Sequence, residues 1–133
     1  MRSGKAGMKK EVIFSDKAPA AVGPYSQGIK GNGFVFVSGQ LPINPETGEF
    51  PSDDAAEQAE QSIRNVMAVL KAAGTDGEQV VKSVVYLSDI NDFGTVNEVY
   101  SRYFNTDCPA RSCFQVAKLP KNAKVEVEVI ALA

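Results

Sequence analysis

The 133-residue sequence contains no histidine and only two cysteines, Cys108 and Cys113. The absence of histidine excludes Ser-His and Cys-His nucleophile pairs and every zinc site that uses an imidazole ligand. Two thiols are too few for a structural zinc site, and their spacing is not C-x-x-C. Any catalysis must therefore depend on Arg, Lys, Tyr, Glu, Asp, Ser, Cys or backbone groups.

An excess of positive charge and a long apolar run are also missing. The sequence contains 14 Lys and Arg residues and 16 Asp and Glu residues, and its pI is about 5.2. The longest basic run is the pair Lys9-Lys10. Nucleic-acid binding normally needs a clustered basic surface that displaces phosphate counterions, so this class of partner is not expected.

No run approaches the ~20 apolar residues of a membrane-spanning helix. The N-terminal MRSGKAGMKK has no apolar stretch behind its basic residues, unlike a signal peptide. We expect a cytoplasmic protein with reduced thiols.

The length and the apolar content predict one domain. A chain of 133 residues that is 44% hydrophobic has enough material to bury a core. We expect residues 1–8, which end at a second methionine, to be a leader with no part in the fold. Residues 9–133 are expected to form the single domain.

Local patterns predict strands and two helices in a mixed order. The predicted elements are strands 10–14, 26–30 and 34–38, helix 53–73, strand 80–88, helix 92–104, and strands 111–118 and 124–131. Gly31-Asn32-Gly33 is a hairpin-turn signal. In the first helix, steps of four and three relate Ala59, Ile63, Val66, Leu70 and Ala73, and Gly74 is the expected end. Strand 80–88 is β-branched and nearly continuous, which is typical of burial on both faces.

The apolar pattern of the helices predicts a two-layer α+β sandwich. Each helix has one apolar stripe, which in the second helix consists of Phe93, Val96, Tyr100 and Phe104. Both helices are therefore expected to cover one face of a mixed sheet. In the last strand Val125, Val127 and Val129 alternate with Glu126, Glu128 and Ile130. The uncovered sheet face must meet water or another subunit. The apolar central strands favour a subunit.

The segment CPARSCFQVAKLP carries the sharpest local signal for a binding site. Strand alternation puts Arg111 and Cys113 on one face, and Pro109-Ala110 leads stiffly into Arg111. An arginine at a strand start is suited to a bidentate grip on a planar carboxylate, although a surface ion pair is the commoner role. Cys113 is more often a small buried hydrophobe than a nucleophile.

Other positions are candidates with open alternatives. Glu126 and Glu128 on the outer strand face are usually solvated or paired with lysines of a neighbouring strand, but near an interface such a carboxylate is a candidate proton shuttle. Tyr25 either donates a hydrogen bond to a ligand or packs. Asn97 beside the apolar stripe needs a partner, most commonly backbone. The backbone N–H groups of Ser38 and Gly39 either face a ligand oxygen or merely end a strand.

Four segments in fixed order identify a family resemblance. They are GPYSQGI, FVFVSGQLPINPETGE, VVYLSDINDFGTVNEVYSRYF and PARSCFQVAKLPKNAKVEVEVIA. With these segments the chain resembles the Rid (YjgF) family, in its reactive intermediate deaminase A branch, from about residue 10 to the C-terminus. The resemblance implies a chorismate-mutase-like α+β fold and a homotrimer whose ligand sites lie between neighbouring subunits.

The resemblance also implies site residues and an activity. The carboxylate-binding arginine falls on Arg111, the site cysteine on Cys113 and the proton-handling glutamate on Glu126. The remaining family positions fall on Tyr25, Ser38, Gly39 and Asn97. The implied function is that of a 2-iminobutanoate/2-iminopropanoate deaminase. It would hydrolyse 2-aminoacrylate-type enamines and their imine tautomers to 2-keto acids and ammonia, without a metal or cofactor.

Two other function classes stay open at this point. One is an RNA-directed activity, as a translation inhibitor or endoribonuclease, which the acidic pI and the missing histidines weaken. The other is a non-catalytic module that binds small carboxylates or regulates a partner protein. Such a module would need Arg111 but would tolerate loss of Glu126.

Overall fold

A six-stranded sheet and two α-helices make up most of residues 9–133, the part of the chain that the computed structural model describes. The strands are β1 (Glu11–Ile13), β2 (Gly28–Gly31), β3 (Phe34–Gln40), β4 (Val80–Leu87), β5 (Ala110–Gln115) and β6 (Val125–Leu132). The helices are α1 (Ala55–Ala72) and α2 (Phe93–Ser101). The predicted leader, residues 1–8, lies outside the described residues.

Every predicted element is present, and the differences lie at the element ends. The largest differences are in α2 and β5. The second helix ends at Ser101, short of the predicted residue 104, and it begins after a separate 3-10 turn, Ile90–Asp92. Strand β5 ends at Gln115, short of residue 118, although the N–H of Val116 still donates to the carbonyl of Leu87 at 2.9 Å.

The sheet is mixed, with the order β1-β2-β3-β6-β4-β5. All neighbouring strands are antiparallel except β4 and β5, which are parallel. The parallel pair follows from the helix between them, since a helical crossover returns the chain to the end of the sheet where it started. The last strand, β6, lies between β3 and β4, so it joins the two halves of the sheet.

The predicted hairpin between β2 and β3 is confirmed. Gly31 pairs with Phe34, which leaves Asn32 and Gly33 as a two-residue loop. Their φ angles are 50° and 85°. Positive φ at both loop residues is the requirement of a type I′ turn, whose twist matches that of the strands.

The core lies between α1 and the sheet. The predicted stripe of α1 is buried, with no more than 3% exposure at Ala59, Ile63, Val66, Leu70 and Ala73. The N-cap Asp54 accepts a hydrogen bond from the N–H of Glu57 at 3.0 Å. At the other end Gly74 has φ of 85°, and the N–H of Thr75 donates to the carbonyl of Leu70 at 3.0 Å, as in a Schellman motif. The predicted helix and its closure by Gly74 are confirmed.

The second face of the sheet is largely apolar, and no element of residues 9–133 covers it. Phe34, Phe36 and Phe114 are 39%, 47% and 46% exposed there. The register pairs Phe36 with Ile130 and Phe34 with Leu132, so these side chains form one continuous surface. The prediction that β4 is buried on both faces is wrong for the single chain, because its outward residues are only partly buried. We call this surface the open face.

Candidate functional site

The seven predicted site residues separate into two groups on opposite faces of the sheet. The arginine cluster, on the helical face, contains Arg111, Cys113 and Asn97. The glutamate cleft, on the open face, contains Tyr25, Ser38, Gly39 and Glu126.

The arginine cluster forms where edge strand β5 meets α2. Arg111 pairs with Ser83 and Cys113 pairs with Val85, and both β4 residues are buried beneath the helices. The guanidinium Nη1 of Arg111 donates to the side-chain oxygen of Asn97 at 2.7 Å. The commoner expectation for Asn97, a bond to backbone, is therefore wrong. The asparagine instead fixes the direction of the guanidinium.

Two aromatic rings support the same guanidinium. The Cζ atom of Arg111 lies 4.7 Å from the ring centroid of Tyr100 and 5.6 Å from that of Phe93. Both distances are within cation–π range. The Tyr100 ring is itself anchored, because its hydroxyl shares a buried 2.6 Å hydrogen bond with that of Ser83. The sequence pattern assigned Tyr100 only to the apolar stripe. Its position three residues after Asn97, on one helix face, is the signal that would have found it.

Arg111 has no carboxylate partner within residues 9–133. The ion pairs of this part of the chain join Glu60 to Arg64 and Arg102, and Glu98 to Arg102. The alternative of a surface ion pair for Arg111 is thus wrong for the described residues. The side chain is exposed but held by an amide oxygen and two rings. Its remaining N–H groups can take a planar anion in a bidentate manner.

Cys113 fits the role of a packing residue better than that of a nucleophile. Its side chain is half-buried against the core. Burial raises the pKa of the Cys113 thiol above its ordinary value, and the nearby Arg111 lowers it by less. The thiol is therefore protonated at neutral pH, and the thiolate is the form that a nucleophile needs. Both Cys113 and Cys108 are free thiols.

The glutamate cleft is a cavity of about 800 Å³ at one end of the open face. Its walls are the loop that follows β1, the end of β3 with the loop after it, the turn before β6, and the acidic side chains of β6 itself. All four open-face candidates line it. Glu128 and Lys121 also line the cavity. The sequence pattern weighed Glu128 together with Glu126 and gave no role to Lys121.

Gly39 makes room for the Glu126 carboxylate. Between Val37 and Gln40 the register with β6 shifts, so that three steps along β3 match two along β6. This bulge places Gly39 directly under Glu126. A Cβ atom on Gly39 would lie 2.6 Å from Oε2 and 2.9 Å from Cδ of Glu126. Only glycine lets the carboxyl group pack on the strand backbone here.

The environment of Glu126 favours its protonated form. Burial is the largest cause that raises the pKa of the Glu126 carboxyl, and the neighbouring Glu128 raises it further. Glu128 accepts a hydrogen bond from the phenol of Tyr86 at 2.5 Å. A carboxyl group that binds its proton more tightly than usual is better suited to donate a proton than an ordinary carboxyl group. The alternative of a simply solvated carboxylate does not fit.

The other two cleft candidates differ in what they can offer a ligand. The Tyr25 ring is 52% exposed, and its hydroxyl oxygen accepts a long hydrogen bond from the N–H of Val22 at 3.4 Å. Its phenol proton is thus available for a ligand oxygen. Ser38 uses its donors within the protein, because Oγ donates to the Ser26 carbonyl at 2.5 Å and N–H to the Gln27 carbonyl at 2.9 Å. Of the two alternatives for the Ser38 N–H, this hydrogen bond favours the plain strand end.

The two groups are too far apart within one chain to hold one small substrate. Arg111 is level with Ser83 on β4, whereas Glu126 is level with Tyr86. Three residues along a strand span about 10 Å, and β5 and β6 are separated by two strand spacings, again about 10 Å. The guanidinium also points to the helical face and the carboxyl group to the open face.

Residues 9–133 contain no group of three or more Cys, Asp or Glu side chains that could hold a metal ion. In the same part of the chain, neither helix has the length and apolar character needed to cross a bilayer.

Comparison with known proteins identifies the family. The family model described as endoribonuclease L-PSP matches residues 15–133. Reactive Intermediate Deaminase A, chloroplastic, of Arabidopsis thaliana is 53% identical over 126 residues, which cover 95% of this chain and 67% of that protein. The 2-iminobutanoate/2-iminopropanoate deaminase of Homo sapiens is 46% identical over 123 residues, which cover 92% of this chain and 90% of that protein.

A solved structure gives the same result for the fold. E. coli TdcF with bound serine matches with a TM-score of 0.89 at 45% identity, over 92% of this chain and 98% of that one. The expected α+β architecture, with two helices and a mixed sheet, is thus confirmed. From the family model, the named relatives and the shared fold, the chain belongs to the Rid (YjgF) family, in its reactive intermediate deaminase A branch.

Proposed function

We propose that this protein is a deaminase that hydrolyses 2-aminoacrylate-type enamines and the corresponding 2-imino acids to 2-keto acids and ammonia. The observation that carries the proposal is the Arg111 guanidinium, which is held by Asn97 and Tyr100 but paired with no carboxylate of residues 9–133. Relatives with 46–53% identity carry deaminase names that state this chemistry.

Arg111 is the group that binds the substrate carboxylate. A carboxylate in bidentate contact with the free N–H groups is fixed in plane and orientation. The solved relative TdcF holds serine, which carries the same carboxylate beside a nitrogen-bearing carbon. Cys113, on the same strand face, packs beside the bound ligand as a neutral thiol.

Glu126 handles the protons of the reaction. In its acid form it donates a proton to the terminal carbon of the enamine, which becomes an iminium ion. The resulting carboxylate takes a proton from the attacking water, whose oxygen bonds to the iminium carbon. The carbinolamine then collapses to the keto acid, and the nitrogen leaves as ammonia. One water is consumed for each ammonia released. Orientation and modest acid–base help are sufficient for this reaction, without a metal or a cofactor.

Tyr25 and Gly39 complete the cleft around Glu126. The phenol of Tyr25 has a free proton to donate to the attacking water or the carbinolamine oxygen. Gly39 supports the Glu126 carboxyl group from below. Ser38 acts indirectly, because its hydrogen bonds to Ser26 and Gln27 hold the bulge that places Gly39.

A homotrimer of the chorismate-mutase-like type supplies a complete site. Within one chain Arg111 and Glu126 lie on opposite faces of the sheet, so we assign them to neighbouring subunits that meet at one site. The apolar open face, with three phenylalanines between 39% and 47% exposed, supplies the surface for that association.

The proposed activity is tested by generating 2-aminoacrylate in situ with a serine or threonine dehydratase and following pyruvate release. The wild type is compared with Arg111→Ala, Glu126→Ala and the matched surface control Arg64→Ala. The wild type and the control should speed pyruvate release, and the two site variants should not. A wild type that leaves the spontaneous rate unchanged would contradict the proposal. Gel filtration with light scattering tests the trimer, which a monomer or dimer would contradict.

RNA cleavage is a second candidate, favoured by one observation, the endoribonuclease description of the family model. The net charge of −2 argues against an RNA-binding surface. Incubation of a single-stranded RNA with the same variants at several salt concentrations separates the two functions. Salt-sensitive cleavage by the wild type, without acceleration of pyruvate release, would favour the nuclease. A non-catalytic carboxylate-binding protein would instead bind a 2-keto acid through Arg111, show no turnover and keep its affinity in Glu126→Ala.

A further inference from the structure

Two carboxyl groups of β6 share the glutamate cleft, but each contacts a different neighbouring strand. Glu126 and Glu128 are two residues apart on β6, so they lie on the same face with their Cα atoms about 7 Å apart. The carboxyl group of Glu126 leans toward β3, where it lies over Gly39. The carboxyl group of Glu128 leans toward β4, where it accepts the hydrogen bond from Tyr86. The two acids therefore have fixed and different orientations.

Tyr86 is well placed to hold Glu128 because its own ring is fixed. Its Cα is paired with that of Glu126, and its phenol reaches diagonally to Glu128, a distance that a long aromatic side chain spans. Phe114 on β5 packs edge-on against the Tyr86 ring, with centroids 5.4 Å apart and an angle of 83°. The hydrogen bond that the Tyr86 phenol donates to the Glu128 carboxylate raises the pKa of Tyr86 to about 12, so the phenol remains a donor over the working pH range.

We propose that Tyr86 and Glu128 are positioning residues, which hold a negative charge beside Glu126 so that Glu126 keeps the proton it donates during deamination. This inference rests on the proposed function of Glu126. Tyr86 and Glu128 do not touch the substrate; they act through Glu126. A like charge at short range disfavours ionisation of a neighbouring carboxyl group.

The other groups around Glu126 do not replace this charge. Strand β3 presents Ser38, Gly39 and Gln40, which carry none. The loop after β1 presents Tyr25, whose phenol is neutral, and the turn before β6 presents the one cation among the cleft's described lining residues, Lys121. In the presence of this cation the pKa of Glu126 is still raised, by burial first and by Glu128 second. Glu128 is therefore the only charged neighbour in the described cleft that acts in the proposed direction.

The test uses two near-isosteric variants of the full-length protein. Glu128→Gln removes the charge but keeps the size, and Tyr86→Phe removes the donor but keeps the ring against Phe114. Glu78→Gln, at an exposed acid outside the cleft, is the matched control. Carboxyl ¹³C NMR follows the titration of Glu126 directly, independent of turnover. The pH profile of kcat/KM follows its effect on catalysis.

Glu128→Gln is expected to move the Glu126 titration and the alkaline limb of kcat/KM to lower pH, with a roughly tenfold loss of kcat/KM at pH 8. Tyr86→Phe is expected to shift both in the same direction by less, since Glu128 is then free to turn toward solvent. A Glu128→Gln titration that superimposes on the wild type and the control would overturn the electrostatic role. If Glu126 titrates in Tyr86→Phe as it does in the wild type, the role of the hydrogen bond between Tyr86 and Glu128 is overturned. If the wild type lacks deaminase activity, the proposed function fails, and the NMR titrations still decide whether the pair controls Glu126.

Discussion

A methyl group at Gly39 is expected to displace the Glu126 carboxyl group without breaking the fold. In Gly39→Ala the new Cβ would lie 2.6 Å from Oε2 and 3.3 Å from Cγ of Glu126, whereas ordinary contact begins at 3.4 Å. The carboxyl oxygen must therefore move by about 0.8 Å. The nearest atoms belong to the end of a flexible side chain, so the strand itself need not shift.

The expected loss of activity follows from that displacement. A misplacement of roughly 1 Å in a reacting group costs about 100-fold in rate, because the proton no longer travels along the productive line. We expect kcat/KM of Gly39→Ala to fall about 100-fold. The KM should change little, since Arg111 lies on the other face and keeps its contacts. Overpacking should reduce the free energy of unfolding by about 1 kcal/mol, which leaves the protein folded.

The assay measures pyruvate release from 2-aminoacrylate, with urea denaturation as the check on folding. Gly94→Ala in α2 is the matched control, because a Cβ there has no neighbour within 4 Å. The double variant Gly39→Ala/Glu126→Ala closes a mutant cycle in the free energy of unfolding, in which the methyl group should cost nothing further once the carboxyl group is gone. Activity of Gly39→Ala within twofold of the wild type, or an equal loss of unfolding free energy when the methyl group is added to Glu126→Ala, would refute this reasoning.

Three further predictions concern the arginine cluster and the stability of the fold. Arg111→Lys keeps the charge but loses the bidentate contact, so KM should rise 10- to 100-fold in steady-state kinetics, equivalent to ~1.5–3 kcal/mol of binding free energy. An unchanged KM would contradict the role of the planar guanidinium. Tyr100→Phe leaves the Ser83 hydroxyl without its partner, so the free energy of unfolding in urea should fall by ~1–3 kcal/mol while KM stays near that of the wild type. Tyr100→Leu also removes the ring beneath Arg111 and should raise KM. Equal KM values in the two variants would contradict the role of the ring. Because the pKa of Glu126 is raised in the folded state, the unfolded chain loses this proton first as pH rises past the ordinary value of 4.5, and wild-type stability falls. The Tm of Glu126→Gln relative to that of the wild type should therefore increase as the pH is raised from 4 to 8. A Tm difference that does not change with pH would contradict the raised pKa.

The parts of the fold that depend on local patterns were predictable from the sequence. The stripe of α1 repeats over five positions, and Gly74 supplies the left-handed residue that a Schellman motif needs. The Asn32-Gly33 turn is equally local. The end of α2 was less predictable. Phe104 continues the apolar period and is buried, yet the helix has already ended at Ser101, so burial alone does not define a helix end.

The candidate residues were identified, but their grouping was not predictable from a linear pattern. Alternation correctly put Arg111 and Cys113 on one face. It could not show that this face lies under α2, or that Glu126 faces the other way, since both depend on the strand order in the sheet. The contact between Gly39 and Glu126 depends on a bulge between strands that are far apart in the sequence.

Hydrogen-bond partners were the least predictable feature. The Ser38 N–H could either face a ligand or end a strand, and in the structure it donates to the Gln27 carbonyl. For Asn97 a bond to backbone was the commoner alternative, but the crossover places its side chain beside Arg111. In both cases the residue type correctly indicated a polar role, and the tertiary pairing of strand and helix selected the partner.

Mixing two inactive variants tests most directly whether the site is shared between subunits. Arg111→Ala and Glu126→Ala should each be inactive alone, because each lacks one half of every site. When equal amounts are unfolded and refolded together, random assembly should make about a quarter of the sites intact, each with Arg111 from one subunit and Glu126 from its neighbour. Recovery approaching that fraction of wild-type pyruvate release is the predicted result. Mixed trimers that are verified by native mass spectrometry and remain inactive would contradict the shared site.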